Sequence, residues 1–222
     1  LGYPDDGYDL PPLFTEQHTT AVEYAPDLDA GTLFPIEART MQERIGARRS
    51  SVAERVEMAA RIVAMKPDRP WVCWCNLNSE SEALVKAIPG AVEVRGSDDE
   101  ADKEQKLDAF SDGRIRVLVT KPSICGFGLN WQHCSDMAFV GVTDSYEAYY
   151  QAVRRCWRFG QKKPVRVDVV TTEGEKSVLQ NLQRKAKAAD KMFSDLLTHM
   201  NDALAVDSSR TFDKKEAIPS WL

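Results

Sequence analysis

Apolar positions change their spacing along the chain, and the change falls near residue 70. Before it, between residues 36 and 66, they recur at three- and four-residue intervals. Val52, Val56, Ala59, Ala60 and Val63 make one apolar face of a helix predicted over 52–65. The stretch S51-V-A-E54 has the Ser-x-x-Glu spacing of a capping box at its start. From residue 71 onward, short apolar runs alternate with amphipathic stretches. W71-V-C-W-C75, A91-V-E-V94, I115-R-V-L-V-T120, M137-A-F-V-G-V142 and V165-R-V-D-V-V170 read as strands. Helices are expected at 79–88, 99–112 and 145–159, a short turn-rich piece at 123–128, and a long final helix at about 175–204. Strand and helix alternating in this way predict an α/β fold, a parallel sheet with helices on both faces. Ligands of such sheets sit outside the C-terminal strand ends, so chemistry is expected just after Cys75, Val94, Thr120, Val142 and Val170.

The flanks lack this order. Residues 1–35 are rich in Pro, Gly, Asp and aromatic residues and read as an extended linker or arm, packing through Tyr3, Tyr8, Leu13 and Phe14. A single domain is expected over 36–205, with its core at 68–172, followed by a polar tail over 206–222. The chain starts at Leu1 rather than Met, which predicts that it is a piece of something longer.

Composition narrows the classes. With 222 residues, 43% apolar and 28% charged, the chain can bury an adequate core. Its net charge of −5 gives no whole-chain attraction to nucleic acid, so any such binding must come from a local patch. Five cysteines without regular spacing suit a reducing, intracellular or cytoplasmic setting. Cys73 and Cys75 form C-x-C with no histidine nearby and read as buried strand thiols. Three histidines are too few for a metal cluster, so no metal ligands are expected. No apolar run approaches the ~20 residues that span a bilayer, and no membrane partner is expected.

Two segments carry chemistry. K121-P-S-I-C-G-F-G-L-N-W131 follows a strand end with a glycine-containing turn, where backbone amides can face an anion. Glycines at such turns are also common for steric reasons alone. The second segment is Q151-A-V-R-R-C-W-R-F-G-Q161. On a continuous helix Gln151, Arg155 and Arg158 would share a face, with Arg154 beside it. From Gln151 to Val167 there are six basic residues and no acid. A solvated basic helix end would need no arginines interleaved with Trp157 and Phe159, whereas planar donor forks on a rigid element suit phosphate.

These segments resemble the last motifs of superfamily 2 helicases, closest to Swi/Snf-type translocases and phage-type DEAD/DEAH helicases. The first motif is matched by Thr120, Lys121, Gly126, Gly128, Leu129 and Asn130. The second is matched by Gln151, Ala152, Arg155, Arg158, Gly160 and Gln161. The spacing from Thr120 to the glycines is about two residues longer than the Swi/Snf form, which favours the phage-type branch. W71–N76, and E93-V-R-G-S97 with its following helix, are similar to earlier parts of the same domain.

The resemblance implies the second RecA-like half of a motor. Arg155 and Arg158 would be catalytic arginine fingers. Gly126, Gly128, Asn130 and Gln151 would contact ATP, and Thr120, Lys121, Asn76 and Arg95 nucleic acid, expected to be DNA. No Gly-Lys pair exists anywhere in the sequence, so a P-loop is absent. ATP and Mg2+ would then be bound mainly by an N-terminal RecA-like domain, a partner in cis. Asp99-Glu-Ala-Asp102 is spelled like the magnesium-holding box of that first half. Ser97 and Glu100 have capping-box spacing instead, and the four residues are expected to open a helix. Two other classes stay open at this point. One is a non-catalytic nucleic-acid-binding or scaffold module on the same fold. The other is an unrelated α/β enzyme using a thiol or carboxylate, for which Cys134 beside His133 is a poor dyad.

Overall fold

Six strands form one parallel sheet in the order β1-β6-β5-β2-β4-β3. They are β1 (Leu13–Thr20), β2 (Trp71–Trp74), β3 (Ala91–Glu93), β4 (Val117–Thr120), β5 (Asp136–Val140) and β6 (Val165–Thr172). Four helices are interleaved with them: α1 (Val52–Ala64), α2 (Asn78–Ala87), α3 (Glu100–Ser111) and α4 (Tyr146–Val153). The computed structural model describes residues 10–20, 46, 48–124, 129–143, 145–172, 175, 178–189, 191–192 and 195. Of the expected final helix, 178–189 is helical and the C-terminal part lies outside the described residues, as do Tyr3, Tyr8 and the tail.

The central strands β2, β4 and β5 are largely apolar because both sheet faces are covered. Trp71, Cys73, Val117, Val119, Ala138, Val140 and Val170 point to one side and pack with Val56, Ala59, Ile62 and Val63 of α1 and Leu84 of α2. Val72, Trp74, Leu118, Met137, Phe139, Val167 and Val169 point to the other. They pack with Phe110 of α3, Ala152 and Val153 of α4, and Val178 and Leu179. Alternate residues of one strand thus feed two cores. Each fully buried large side chain adds roughly 1.5–3 kcal/mol.

Contacts divide the chain into a unit of residues 1–182 and one of 183–222. In the first, β2 is central, paired with β4 on one side and β5 on the other. After β2 the chain passes to α2 on one face; after β4 and β5 it passes to the opposite face. Such a divergence opens a crevice at the C-terminal strand ends. In the second unit, 183–189 are helical.

Three local readings need correction. Residues 13–20, expected to be part of an arm, are the edge strand β1, in register with β6 from Leu13↔Val165 to Thr20↔Thr172. Fully buried Asp168 on β6 holds it: His18 Nε2 lies 2.8 Å away, and Arg166 binds both Asp168 and Glu16. Ser51 does not cap α1, because its hydroxyl is turned inward to the Arg48 carbonyl and accepts from Arg55 Nε. In α3 the cap is Asp99, not Ser97: the Asp99 carboxylate accepts from Asp102 N at 2.7 Å.

Candidate functional site

The ends of β2, β5 and β6 are joined by a buried ion network. Arg55 of α1 is fully buried, with Nη1 2.6 Å from Glu80 Oε1 and Nε 3.8 Å from Glu175 Oε2. Arg48 Nε lies 3.0 Å from Glu175 Oε1 and its guanidinium also donates to the Val142 carbonyl. The second Glu80 oxygen accepts from Asn76 N and Leu77 N at 2.8 and 2.9 Å, holding the turn between β2 and α2. Glu175 accepts from Thr172 N at 3.3 Å. Gly141, after β5, has φ +78, and a Cβ there would lie 2.7 Å from Arg55 Nη1. Glycine is therefore needed both for the left-handed turn and for the arginine that passes it. Removing one member of such a network strands the opposite charge without water.

The arginine segment is built differently from the expected helix. α4 ends at Val153, and Arg154–Cys156 continue as turns. Arg155 N bonds to Ala152 O and Cys156 N to Val153 O, both i→i−3 bonds that tighten the winding. The cause is tertiary: Cys156 is drawn fully into the core, and the Arg155 carbonyl accepts from Trp131 N at 2.9 Å. Gln151, Arg155 and Arg158 therefore do not lie on one α-helical stripe. Arg155 and Arg158 are instead placed separately, Arg155 through its carbonyl on Trp131 N and Arg158 through its guanidinium on Leu129 O.

Gln161 clamps this turn from below. It is buried, and its Nε2 donates to Cys134 O at 3.0 Å and Cys156 O at 3.2 Å. Gly160, with φ +88, closes the segment where Gln132 reaches the Phe159 carbonyl. Arg158 Nη1 donates to Leu129 O at 3.3 Å. The residues after β4 and the arginine segment are thus tied at two points, Trp131–Arg155 and Leu129–Arg158.

Of the other expected site residues, Asn76, Arg95, Thr120 and Lys121 lie at the C-terminal ends of β2, β3 and β4. The arginine turn sits at the opposite edge of the sheet, where Gln161 meets Cys134 and Trp157 meets Pro11. The expectation of chemistry just after the strands therefore does not hold for the arginines. Lys121 is half-buried, with Nζ 2.5 Å from Asn78 Oδ1 at the start of α2. Asn76 is half-buried, and its Nδ2 donates to Gly141 O at 3.4 Å. Thr120 is fully buried, with its hydroxyl donating to Val94 O; this ties β4 to the end of β3. Arg95 is exposed and paired with Glu93 at 2.8 Å and Glu82 at 3.5 Å. Asn130 and Gln151 are exposed; Gly126 and Gly128 lie outside the described residues.

Sequence reasoning missed Arg48, Arg55, Glu80 and Glu175. Arg55 stands four residues before Ala59, on the row that α1 buries, and a charge in that row was the available signal.

Three thiols among the described residues are held in the protonated form. Burial pushes Cys73 far above the ordinary thiol range and Cys75 up to about 12. Cys156 is raised by its hydrogen bond with Cys134 and by burial. His133 is lowered by burial, its ring packed edge-on at 4.9 Å from Phe110. None of these groups resembles an activated nucleophile or base.

Residues 54–160 match the family profile described as the helicase conserved C-terminal domain. No curated protein sequence matches the chain. Among solved structures, the C-terminal part of the Fun30 ATPase domain is similar with TM-score 0.52 and 16% identity, covering 58% of this chain and 45% of that one. The C-terminal domain of the DEAD-box protein Dbp5 gives TM-score 0.52 and 16% identity over 60% of this chain and 78% of that one. A DEAD box protein from the hyperthermophile Methanococcus jannaschii gives TM-score 0.52 and 17% identity over 60% and 37%. At these identities the likeness is one of fold. The chain spans less than half the length of the first and third of these structures.

Proposed function

From the match of residues 54–160 to the helicase conserved C-terminal domain and the RecA-like fold, we propose that the chain is the second half of an ATP-driven nucleic-acid motor of superfamily 2. In this reading Arg155 and Arg158 reach across a cleft to the γ-phosphoryl group of ATP held by a P-loop domain. The observation that carries it is the double tie between the arginine segment and the residues after β4. A strand-end loop that touches a nucleic-acid backbone and a turn that touches phosphate then move together, as a motor requires.

The residues present suit a triphosphate. Arg155 and Arg158 are half-buried guanidiniums whose backbone is fixed by the core rather than by solvent-exposed bonds. Arg158 is held at present by one bond to Leu129 O, and releasing such a bond costs only about 1 kcal/mol. Preorganised guanidiniums stabilise charge that develops on transferring oxygens. A finger of this kind is worth roughly 10³–10⁵ in turnover, or about 4–7 kcal/mol. Gln151, exposed in the last turn of α4, would sense the nucleotide, together with Asn130 and the Gly126 and Gly128 amides. When bound, ATP supplies the phosphoryl group and Mg2+ neutralises its charge. Both are held mainly by the P-loop domain, for which this sequence has no Gly-Lys pair.

Lys121 is the best placed backbone contact, being half-buried at the start of α2. Asn76 and Arg95 flank it but are engaged by Gly141 and by Glu93 and Glu82. Thr120, being buried, would act by holding the strand end. The polymer is proposed to be DNA. In the protein that carries this chain, Arg155→Ala and Arg158→Ala are each expected to lower DNA-stimulated ATP hydrolysis by roughly 10³-fold or more, with an unchanged far-UV circular dichroism spectrum. Retention of activity within tenfold would exclude the finger assignment. Stimulation by RNA but not DNA would reassign the polymer.

A further inference from the structure

One face of α4 and the turns that follow it carry a row of flat side chains. Tyr146 and Tyr150 are one turn apart, with ring centroids 5.9 Å apart and planes at 33°. The Arg154 guanidinium lies 5.9 Å over Tyr150 and 5.4 Å over Trp157. Ring, ring, guanidinium, ring thus follow one another at spacings of 5.4 to 5.9 Å. The opposite side of α4 does the packing: Tyr149 meets Phe139 at 4.9 Å, and Ala152 and Val153 are buried. Tyr150 is 36% exposed, so its ring adds little to the core. The far rung is fixed, because Trp157 Nε1 donates to Pro11 O at 2.7 Å.

The geometry points to a nucleobase-stacking site on Tyr150 and Arg154. A base held between two planes needs them about 7 Å apart, twice the ~3.5 Å carbon contact distance. Tyr150 and Arg154 are about 1 Å short of that, within reach of small side-chain adjustments at a partly exposed surface. A guanidinium on one side and a phenol on the other stack on any base without reading its edges. The surroundings favour a ligand that also bears phosphate: residues 146–163 hold five basic side chains against one acid, Glu147.

The base has two possible sources, a nucleoside triphosphate or an unpaired stretch of nucleic acid, and the chemistry is shared. The inference rests on the phosphate-binding reading of Arg155 and Arg158 only for the phosphate half of the ligand.

The test compares probes with and without bases on the same protein. ATP is set against inorganic tripolyphosphate, and a twelve-residue oligothymidylate against an abasic phosphodiester strand of equal length. Binding is measured by titration calorimetry for wild type, Tyr150→Ala and Tyr150→Phe, with thermal melts confirming the fold. In at least one pair the base-bearing probe binds wild type about tenfold more tightly, the scale of one stacked base. That ratio falls towards one in Tyr150→Ala and persists in Tyr150→Phe. The pair that shows it identifies the source. A ratio near one for wild type in both pairs, or a ratio that survives Tyr150→Ala, overturns the proposal. Arg155→Ala separates the two readings: it is expected to weaken base-bearing and base-free probes alike and leave the ratio standing. If it leaves base-free binding untouched, the phosphate reading fails while the stacking site stands.

Discussion

Arg55 is the residue on which the strand ends depend. Its guanidinium faces Glu80 and Glu175 without access to water, and Glu80 in turn holds Asn76 and Leu77. Arg55→Met is expected to lower stability by roughly 3–5 kcal/mol, because Glu80 is left buried without a counter-charge while Glu175 keeps only Arg48. Equilibrium urea unfolding measures this, and a loss under 1 kcal/mol would show that the network is dispensable. His133 gives a pH signature. Its ring is neutral in the fold because burial lowers its pKa below the ordinary 6.5. The unfolded chain therefore takes up a proton first as pH falls, and this contribution to stability declines below about pH 6.5. Unfolding midpoints measured from pH 7.5 to 5 should fall for wild type and fall less for His133→Phe; parallel curves would contradict the assignment. Neither residue was legible as special. A lone arginine on an apolar helix row and a lone histidine before a strand have many ordinary explanations, and only their partners, Glu80 and Glu175 for Arg55 and Phe110 for His133, give them meaning.

At the scale of elements, the central strands were legible and the margins were not. β2, β4 and β5 are apolar on both faces, which leaves little ambiguity. β1 is an edge strand whose outward residues are Thr, Glu and Gln, so it lacks the apolar alternation that announces a strand. Its pairing is specified on β6, by buried Asp168 and Arg166. α4 ends early for a similar reason, since Trp131 takes the Arg155 carbonyl that a longer helix would have used. Capping is decided by a shift of two residues. Asp99→Ala is expected to cost about 1 kcal/mol, and Ser97→Ala almost nothing, as read by thermal unfolding. The reverse order would restore Ser97 as the cap. Asp99-Glu-Ala-Asp102 is therefore the start of α3, with Asp99 as its cap and Glu100 and Asp102 in its first turn.

For the molecule as a whole, the fold divides the expected site between two edges of a parallel sheet: the buried ion network and Lys121 lie at the C-terminal strand ends, and the arginine turn lies beside the segments that enter β1 and β5. The glycine-containing loop and the arginine turn were visible in the sequence as motifs. Their mutual hydrogen bonds and the Arg55 network were not, because they join segments separated by 24 to 127 residues. The central claim is that this chain is half of a motor, able to accelerate phosphoryl transfer but unable to cradle the nucleotide. The direct measurement is steady-state ATP hydrolysis with Mg2+ and DNA, for the purified 222 residues and for the same chain joined to a P-loop RecA-like domain. The account predicts no turnover above background from the chain alone, and DNA-stimulated turnover from the joined protein that disappears with Arg155→Ala. Robust Mg2+-dependent hydrolysis by the 222 residues alone would contradict it.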